Sequence, residues 1–295
     1  AGDVDWPSYQ GGNGSNQYST LNQINRDNVK KLELAWSYAT GDKAANNRSQ
    51  LQVNAIVVEG RLYGYSPVQR VFCLDAATGE ELWRFSPYPG EVPSNAASAK
   101  RGVAHWTDGK ERRILFTSMS RLMALDADSG QLIKSFGENG AVDLHTGLGA
   151  RAQKLSIYAT SPGRVYKDLI IIGARVSESN PAAPGHVRAF DVRSGALRWM
   201  FKTVPASGEL GYDTWPEDAW ERAGGANCWA GMSLDAERGV VYVPTGSAAY
   251  DFYGADRLGK NLFANCIIAL NAETGERLWH YQTVHHDLWD RDLPA

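Results

Sequence analysis

The chain has little cysteine. Cys73, Cys228 and Cys266 form no CxxC pair and lie far apart, which excludes a thiolate zinc site and a disulfide framework and leaves room for one bridge at most. It also lacks any unbroken apolar run approaching the ~18 residues that a membrane-spanning helix requires. An excess of one charge is missing too: 30 Lys and Arg against 33 Asp and Glu, scattered along the chain, give a formal net charge of -3. No basic footprint for nucleic acid exists. What is plentiful is glycine and aromatic surface, with 30 Gly and 10 Trp in 295 residues, the profile of a turn-rich β protein. The opening AGDVDW has no initiator Met. It fits a mature chain after signal cleavage, and equally a cloning boundary; periplasmic or secreted location is the expectation.

Internal periodicity decides the architecture. Without gaps, LDAATGEELWRF at Leu74 aligns with LDADSGQLIKSF at Leu125, FDVRSGALRWMF at Phe190 and LNAETGERLWHY at Leu270. Each copy places an Asp or Asn after an apolar residue, then Ser or Thr and Gly, then a second apolar run. That is a hairpin: Asp75, Asp126, Asp191 and Asn271 can accept from backbone N–H groups two or three residues on, and Gly79, Gly130, Gly195 and Gly275 supply positive φ. Trp83, Trp199 and Trp279 share one offset, with Lys134 breaking the set, so large rings recur between neighbouring units and can stack there. Copies 51, 65 and 80 residues apart suit four-stranded propeller blades with insertions. The fold class is therefore all-β, a β-propeller with tryptophan-docking repeats and about four blades; a sandwich with fortuitous hairpins is the competing architecture.

Along the chain, residues 1–33 read as a lead-in, with a short helix expected over Ile24–Leu32 and Asn25 as its N-cap. Leu34–Tyr38 reads as an outer strand carrying Trp36 at the ring position. The first blade then uses 53–58 and 61–65, closing at Phe85. The second uses 102–106 and 112–118. The third uses 157–161 and the buried run 169–173, and the fourth 229–234, 240–245 and 267–270. An irregular insertion over 204–227 is long enough to be functional or disordered. The C-terminal stretch HHDLWDRDLPA packs two His, three Asp and one Trp into eleven residues. His285 and His286 are adjacent, so on a strand they point to opposite faces and read as structural rather than as ion ligands.

The segments DVDWPSYQGG, NVKKLELAWSYATGD, RGVAHW and YQTVHHDLWDRDLPA resemble the pyrroloquinoline quinone (PQQ) dependent quinoprotein dehydrogenases, most of all the membrane glucose dehydrogenase type. The resemblance covers residues 1–295 and implies that they form the N-terminal half of an eight-bladed ring. It further implies PQQ near the ring axis, a calcium ion beside it, and oxidation of an alcohol, polyol or aldose by hydride transfer, with a quinone or cytochrome c as electron acceptor. Asp290 matches the general base, which is also a metal ligand, and Glu178 matches the metal-binding carboxylate. Ser247 stands where relatives place a metal-binding Asn, and Ala249 where the glucose type has Thr. Trp229 matches the indole beneath the PQQ ring. Arg101, Gln52, Thr160, Arg175 and Asn227 match positions contacting the cofactor.

Asp292 adds an acid that in some relatives helps hold a lanthanide, but glucose-type sequences carry it as well, and calcium is the expectation. Two departures stand out: the adjacent Cys pair of alcohol-oxidising relatives is missing from SNAASAKRG, and Ala97 replaces a glucose-type His. Half a ring would expose two radial apolar faces, so a second half or self-association is expected. The rival readings are a non-enzymatic propeller of the outer-membrane assembly scaffold kind and an inactive half-domain.

Overall fold

The four repeat turns close through matching hydrogen bonds. Asp75 Oδ1 accepts the N–H groups of Ala77 and Thr78 at 3.0 and 2.8 Å, Asp191 Oδ1 those of Arg193 and Ser194 at 3.0 and 2.8 Å. Asn271 Oδ1 does the same for Glu273 and Thr274 at 2.9 and 3.1 Å, and Asp126 Oδ1 accepts from Ser129 N–H at 2.8 Å. Gly79, Gly130, Gly195 and Gly275 follow with φ between +70° and +77°, where a side chain would be strained.

The computed structural model describes residues 5–43, 49–88, 90–93 and 99–293. Four antiparallel sheets of four strands follow one another in chain order without crossovers. The first holds Ile56–Val58, Arg61–Tyr65, Val71–Asp75 and Glu81–Phe85, and the second Ala104–Thr107, Arg112–Ser118, Arg121–Asp126 and Ala141–Asp143. The third holds Arg164–Tyr166, Leu169–Ile172, Val187–Asp191 and Leu197–Phe201, and the fourth Ser233–Asp235, Val240–Pro244, Cys266–Asn271 and Arg277–Gln282.

The hydrophobic core lies between sheets. Strand side chains alternate in direction, so one strand feeds two clusters: Ile114 and Phe116 pack toward the first sheet with Ile56 and Val71, while Leu115 packs toward the third with Ile170 and Ile172. Leu169 and Ile171 turn the other way, onto Val241 and Ile268 of the fourth. Sheets buried on both faces and stacked in sequence are propeller blades.

Tryptophans lock the first blade to the second and the third to the fourth. Rather than stacking on one another, as the sequence suggested, the rings lie on the turn glycines of the following blade. A Cβ on Gly79 would meet Trp36 at 2.5 Å, one on Gly130 would meet Trp83 at 2.5 Å, and one on Gly275 would meet Trp199 at 2.5 Å. Trp83 and Trp199 also donate Nε1–H to the carbonyls of Ala127 and Ala272 at 3.1 and 3.2 Å.

The structure corrects several expectations. Leu34–Tyr38 is not a strand: the first sheet has its four strands within Ile56–Phe85, and among the described residues the segment has no ladder partner, although Trp36 does occupy its ring slot. Ile24–Leu32 forms only the 3-10 turn Val29–Lys31, with Asn25 Oδ1 accepting from Asp27 N–H at 2.9 Å. Ile24 and Leu32 stay exposed, so no burial stabilises a helix. In the second repeat, where Lys134 replaces Trp, the outer strand is Ala141–Asp143, and Val142 Cγ2 fills the slot facing Gly195. The third blade starts at Arg164, while Ile157–Tyr158 pairs separately with Arg175–Val176. All three cysteines are free and buried, which removes the one bridge left open.

Candidate active site

Two short ladders outside the blades shape a cleft. Ile157–Tyr158 against Arg175–Val176 aims the chain toward Glu178, and Gly224–Gly225 against Ala248–Ala249 holds the loop after the strand Val240–Pro244. The loops join where Asp251 N–H donates to Glu178 O at 3.1 Å and Gly246 N–H to Asn227 O at 3.0 Å. The cleft has a volume of about 500 Å³ and is lined by Arg101, Thr160, Arg175, Glu178, Asn227, Trp229, Ser247 and Asp290, together with Gln50, Asp251 and Asp292.

Trp229 is held from both ends. Its carbonyl accepts the hydroxyls of Thr160 and Ser161 at 2.9 and 2.8 Å. Its indole Nε1–H donates to Asp292 Oδ2 at 2.7 Å. The Arg101 guanidinium lies 5.0 Å from the ring centroid, a cation–π distance, and Arg101 Nη1 is buried without a hydrogen-bond partner. Arg101 is fixed through its backbone, donating to Thr160 O at 2.9 Å. Beside it, Lys100 is 5% exposed and donates Nζ–H to Ala159 O at 2.8 Å; burial pushes its ammonium down to about 7.

The acids divide into tied and untied. Asp287 accepts from Ser247 Oγ at 2.5 Å and from the N–H groups of Arg291 and Trp289 at 2.6 and 3.0 Å. Burial opposes its charge, but these bonds outweigh burial and hold its pKa below the usual value. The same bonds fold the HHDLWDRD stretch so that Asp290, at φ +53°, reaches the cleft. Asp251 is 6% exposed; burial, then the charges of Asp290, Asp292 and Glu178, push its pKa up to about 8 despite Arg257. Asp290 is raised as well, by burial first and then by Asp292, Glu178 and Asp287. Glu178 and Arg175 are more than half exposed and pair at 3.6 Å, which contributes little to stability.

Residues 6–295 match the family described as PQQ: glucose/ethanol/alcohol dehydrogenase, beta-propeller domain. The chain belongs to this family. It is 34% identical to the quinate/shikimate dehydrogenase (quinone) of Acinetobacter baylyi and 35% identical to the quinoprotein glucose dehydrogenase of Escherichia coli, in each case over 99% of this chain and 39% of the relative. The quinohemoprotein alcohol dehydrogenase from Comamonas testosteroni superimposes with a TM-score of 0.81 at 28% identity, over 97% of this chain and 42% of that one. The chain thus spans about two fifths of the length of the relatives it matches.

Most of the residues expected from the PQQ dehydrogenase family meet in this cleft. The cleft gathers Asp290, Trp229, Arg101, Thr160, Arg175, Asn227, Glu178 and Ser247. It does not include Gln52, which is exposed and donates to Gln50 Oε1 at 2.7 Å; Gln50 lines the wall instead. Asn227 donates Nδ2–H to Ala174 O at 2.8 Å, leaving its oxygen free of that bond. Ser247 Oγ–H is directed at Asp287, away from the role of an open metal ligand. His286 faces Gly259 O at 3.0 Å and His285 is exposed, and neither lines the cleft. Ala97 lies outside the described residues.

Two groups escaped the sequence reading. Asp251 sits in the SAAYD loop, where the missing Thr drew attention to Ala249 rather than to the acid two positions on. Lys100 was hidden beside Arg101 because nothing in KRG tells which basic residue is buried. For a planar, polyanionic quinone the cleft fits, since the unpartnered Arg101 Nη1 and the indole stand at its edge. For a cation, four carboxylates share the space, yet no group of three or more His, Cys, Asp or Glu among the described residues is arranged to hold an ion. Further oxygens from a bound molecule would be needed.

Proposed function

We propose that this chain carries the cofactor-binding part of a PQQ- and calcium-dependent dehydrogenase that oxidises an alcohol, polyol or aldose. The observation that carries the reading is the meeting of Trp229, the unpartnered Arg101 Nη1, Glu178 and Asp290 in one cleft of about 500 Å³, within the size range of small-molecule sites. Trp229 offers a flat apolar face to the tricyclic ring. Arg101 and Arg175 suit its carboxylates and quinone oxygens, aided by Thr160 and Asn227. Glu178 and Asp290 are the calcium residues in this reading, since hard cations take oxygen ligands, with Asp251 a further oxygen donor; Ser247, whose hydroxyl donates to Asp287, would have to turn from that bond to join them.

PQQ, when bound, supplies an electrophilic carbonyl that accepts hydride from the carbinol carbon. Asp290 accepts the hydroxyl proton of the same substrate, so that a carbonyl compound is left. A raised pKa suits it, because a base works best when its pKa lies near the working pH. A quinone or cytochrome c then takes the electrons, in the periplasm. No helix among the described residues is long and apolar enough to cross a membrane. On the fourth blade, Trp279 is 46% exposed, which supports the reading that turnover needs further blades, in the same or another chain.

Titration of PQQ with calcium, followed by tryptophan fluorescence, tests this. Saturable quenching, weakened at least about tenfold in Glu178→Ala as expected for losing a charged ligand, is the expected result. Absence of saturable quenching would favour the scaffold or inactive half-domain readings.

A further inference from the structure

Both oxygens of the Asp292 carboxylate are already engaged. Oδ2 accepts the Trp229 indole N–H at 2.7 Å and Oδ1 accepts the Ser247 backbone N–H at 3.0 Å. The approach depends on Gly246: a Cβ there would stand 2.0 Å from Asp292 Oδ1. With its carbonyl fixed by Thr160 and Ser161, Trp229 still has freedom about its side-chain torsions, and Asp292 is the group that holds the indole nitrogen.

We propose that Asp292 is a positioning residue, clamping the Trp229 indole to the Gly246–Ser247 backbone, and is not an ion ligand. An indole N–H bonded to a carboxylate is a charge-assisted bond, so it fixes the plane of the ring. The role matters to function only if Trp229 is the PQQ platform, and it rests on that reading.

The test is the indole N–H cross-peak of Trp229 in 15N-tryptophan-labelled protein, assigned by its loss in Trp229→Phe. Asp292→Ala should move the peak upfield in the proton dimension. Gly246→Ala, which leaves the carboxylate in the chain but blocks its approach, should move it the same way, and the isosteric Asp292→Asn should move it less. PQQ affinity should fall about tenfold in the first two, the scale of one charge-assisted bond, while in Gly246→Ala, which keeps the carboxylate charge, calcium affinity stays within about twofold of wild type. An unmoved peak in Asp292→Ala would overturn the proposal. So would displacement of the wild-type peak by Ca2+ or La3+ alone, coupled with loss of ion binding in Asp292→Asn. The peak is read without PQQ, so a failure of PQQ to bind would strike the platform reading and leave the clamp to be decided by the peak.

Discussion

The repeat turns and the cleft use aspartate in opposite ways. Asp75 and Asp191 receive backbone N–H groups from their own turns, and both have lowered pKa values: in Asp75 the Thr78 bonds lead, and in Asp191 the Ser194 and Arg193 bonds outweigh burial. Asp251 and Asp290 face other acids from partly or largely buried positions, and both are raised. An acid supplied with backbone donors builds the scaffold; one gathered with its like, as Asp290 is with Asp251, Asp292 and Glu178, is held toward its protonated form. Asp287 and Asp292 lie between these cases, since donors tie them while they stand beside the cleft.

The largest effect that would sharpen this contrast is on turnover. Asp290→Asn should lower dye-coupled oxidation about 10³-fold, within the range of general-base removal, while PQQ affinity by fluorescence stays within about twofold; comparable turnover would remove Asp290 as the base.

The scaffold should respond in stability instead. Trp199 is 8% exposed and docked on the Gly275 turn, whereas Trp279 is 46% exposed. In urea unfolding Trp199→Ala should cost about 3–5 kcal/mol, and Trp279→Ala no more than about 0.5 kcal/mol. Equal losses would mean that the docking slots do not hold the blades together.

The pH dependence probes the untied acids. The folded pKa of Asp251, about 8, lies above the unfolded value of about 4, so between these limits the folded state holds the extra proton. Stability is therefore full below the lower value and declines as pH rises toward the upper one. Lys100, pushed down to about 7, works in reverse above that pH, where its folded state carries fewer protons and stability is regained. His186, pushed down to about 3 by burial, opposes this decline up to about pH 6.5, because its unfolded imidazole holds the extra proton there. Asp251 is therefore read as a difference: the Tm of wild type minus that of Asp251→Asn, without added calcium, should fall from about pH 5 to 7, and a constant difference would show that Asp251 is ionised throughout. A small effect is expected at a turn: Asp75→Ala, which removes the acceptor of the Ala77 and Thr78 N–H groups, should lower Tm slightly and leave PQQ affinity unchanged.

Sequence legibility follows the same division. Turn chemistry is local, so Asp75 and Gly79 could be read with their partners from the repeat alone. The strand expected at Leu34–Tyr38 failed because pairing needs a partner that the local pattern does not reveal, although its Trp36 docks as the offset suggested. The second repeat kept its turn, but with Lys134 in place of the docking ring its outer strand forms further along the chain, at Ala141–Asp143. In the cleft, resemblance located Trp229, Glu178 and Asp290, but Gln52 and Gln50 are two residues apart in an extended segment, and only the structure shows which one lines the wall. Asp251 was not legible for a different reason: its raised pKa arises first from burial and then from acids about 40 residues further on and from Glu178, a juxtaposition that no local motif records.

The most direct test is an electron-density map of the chain crystallised with PQQ and calcium. The account predicts a planar density parallel to the Trp229 indole, with its oxygens toward Arg101 and a cation beside Glu178 and Asp290. Density for PQQ elsewhere on the molecule, with this cleft filled only by water, would contradict it.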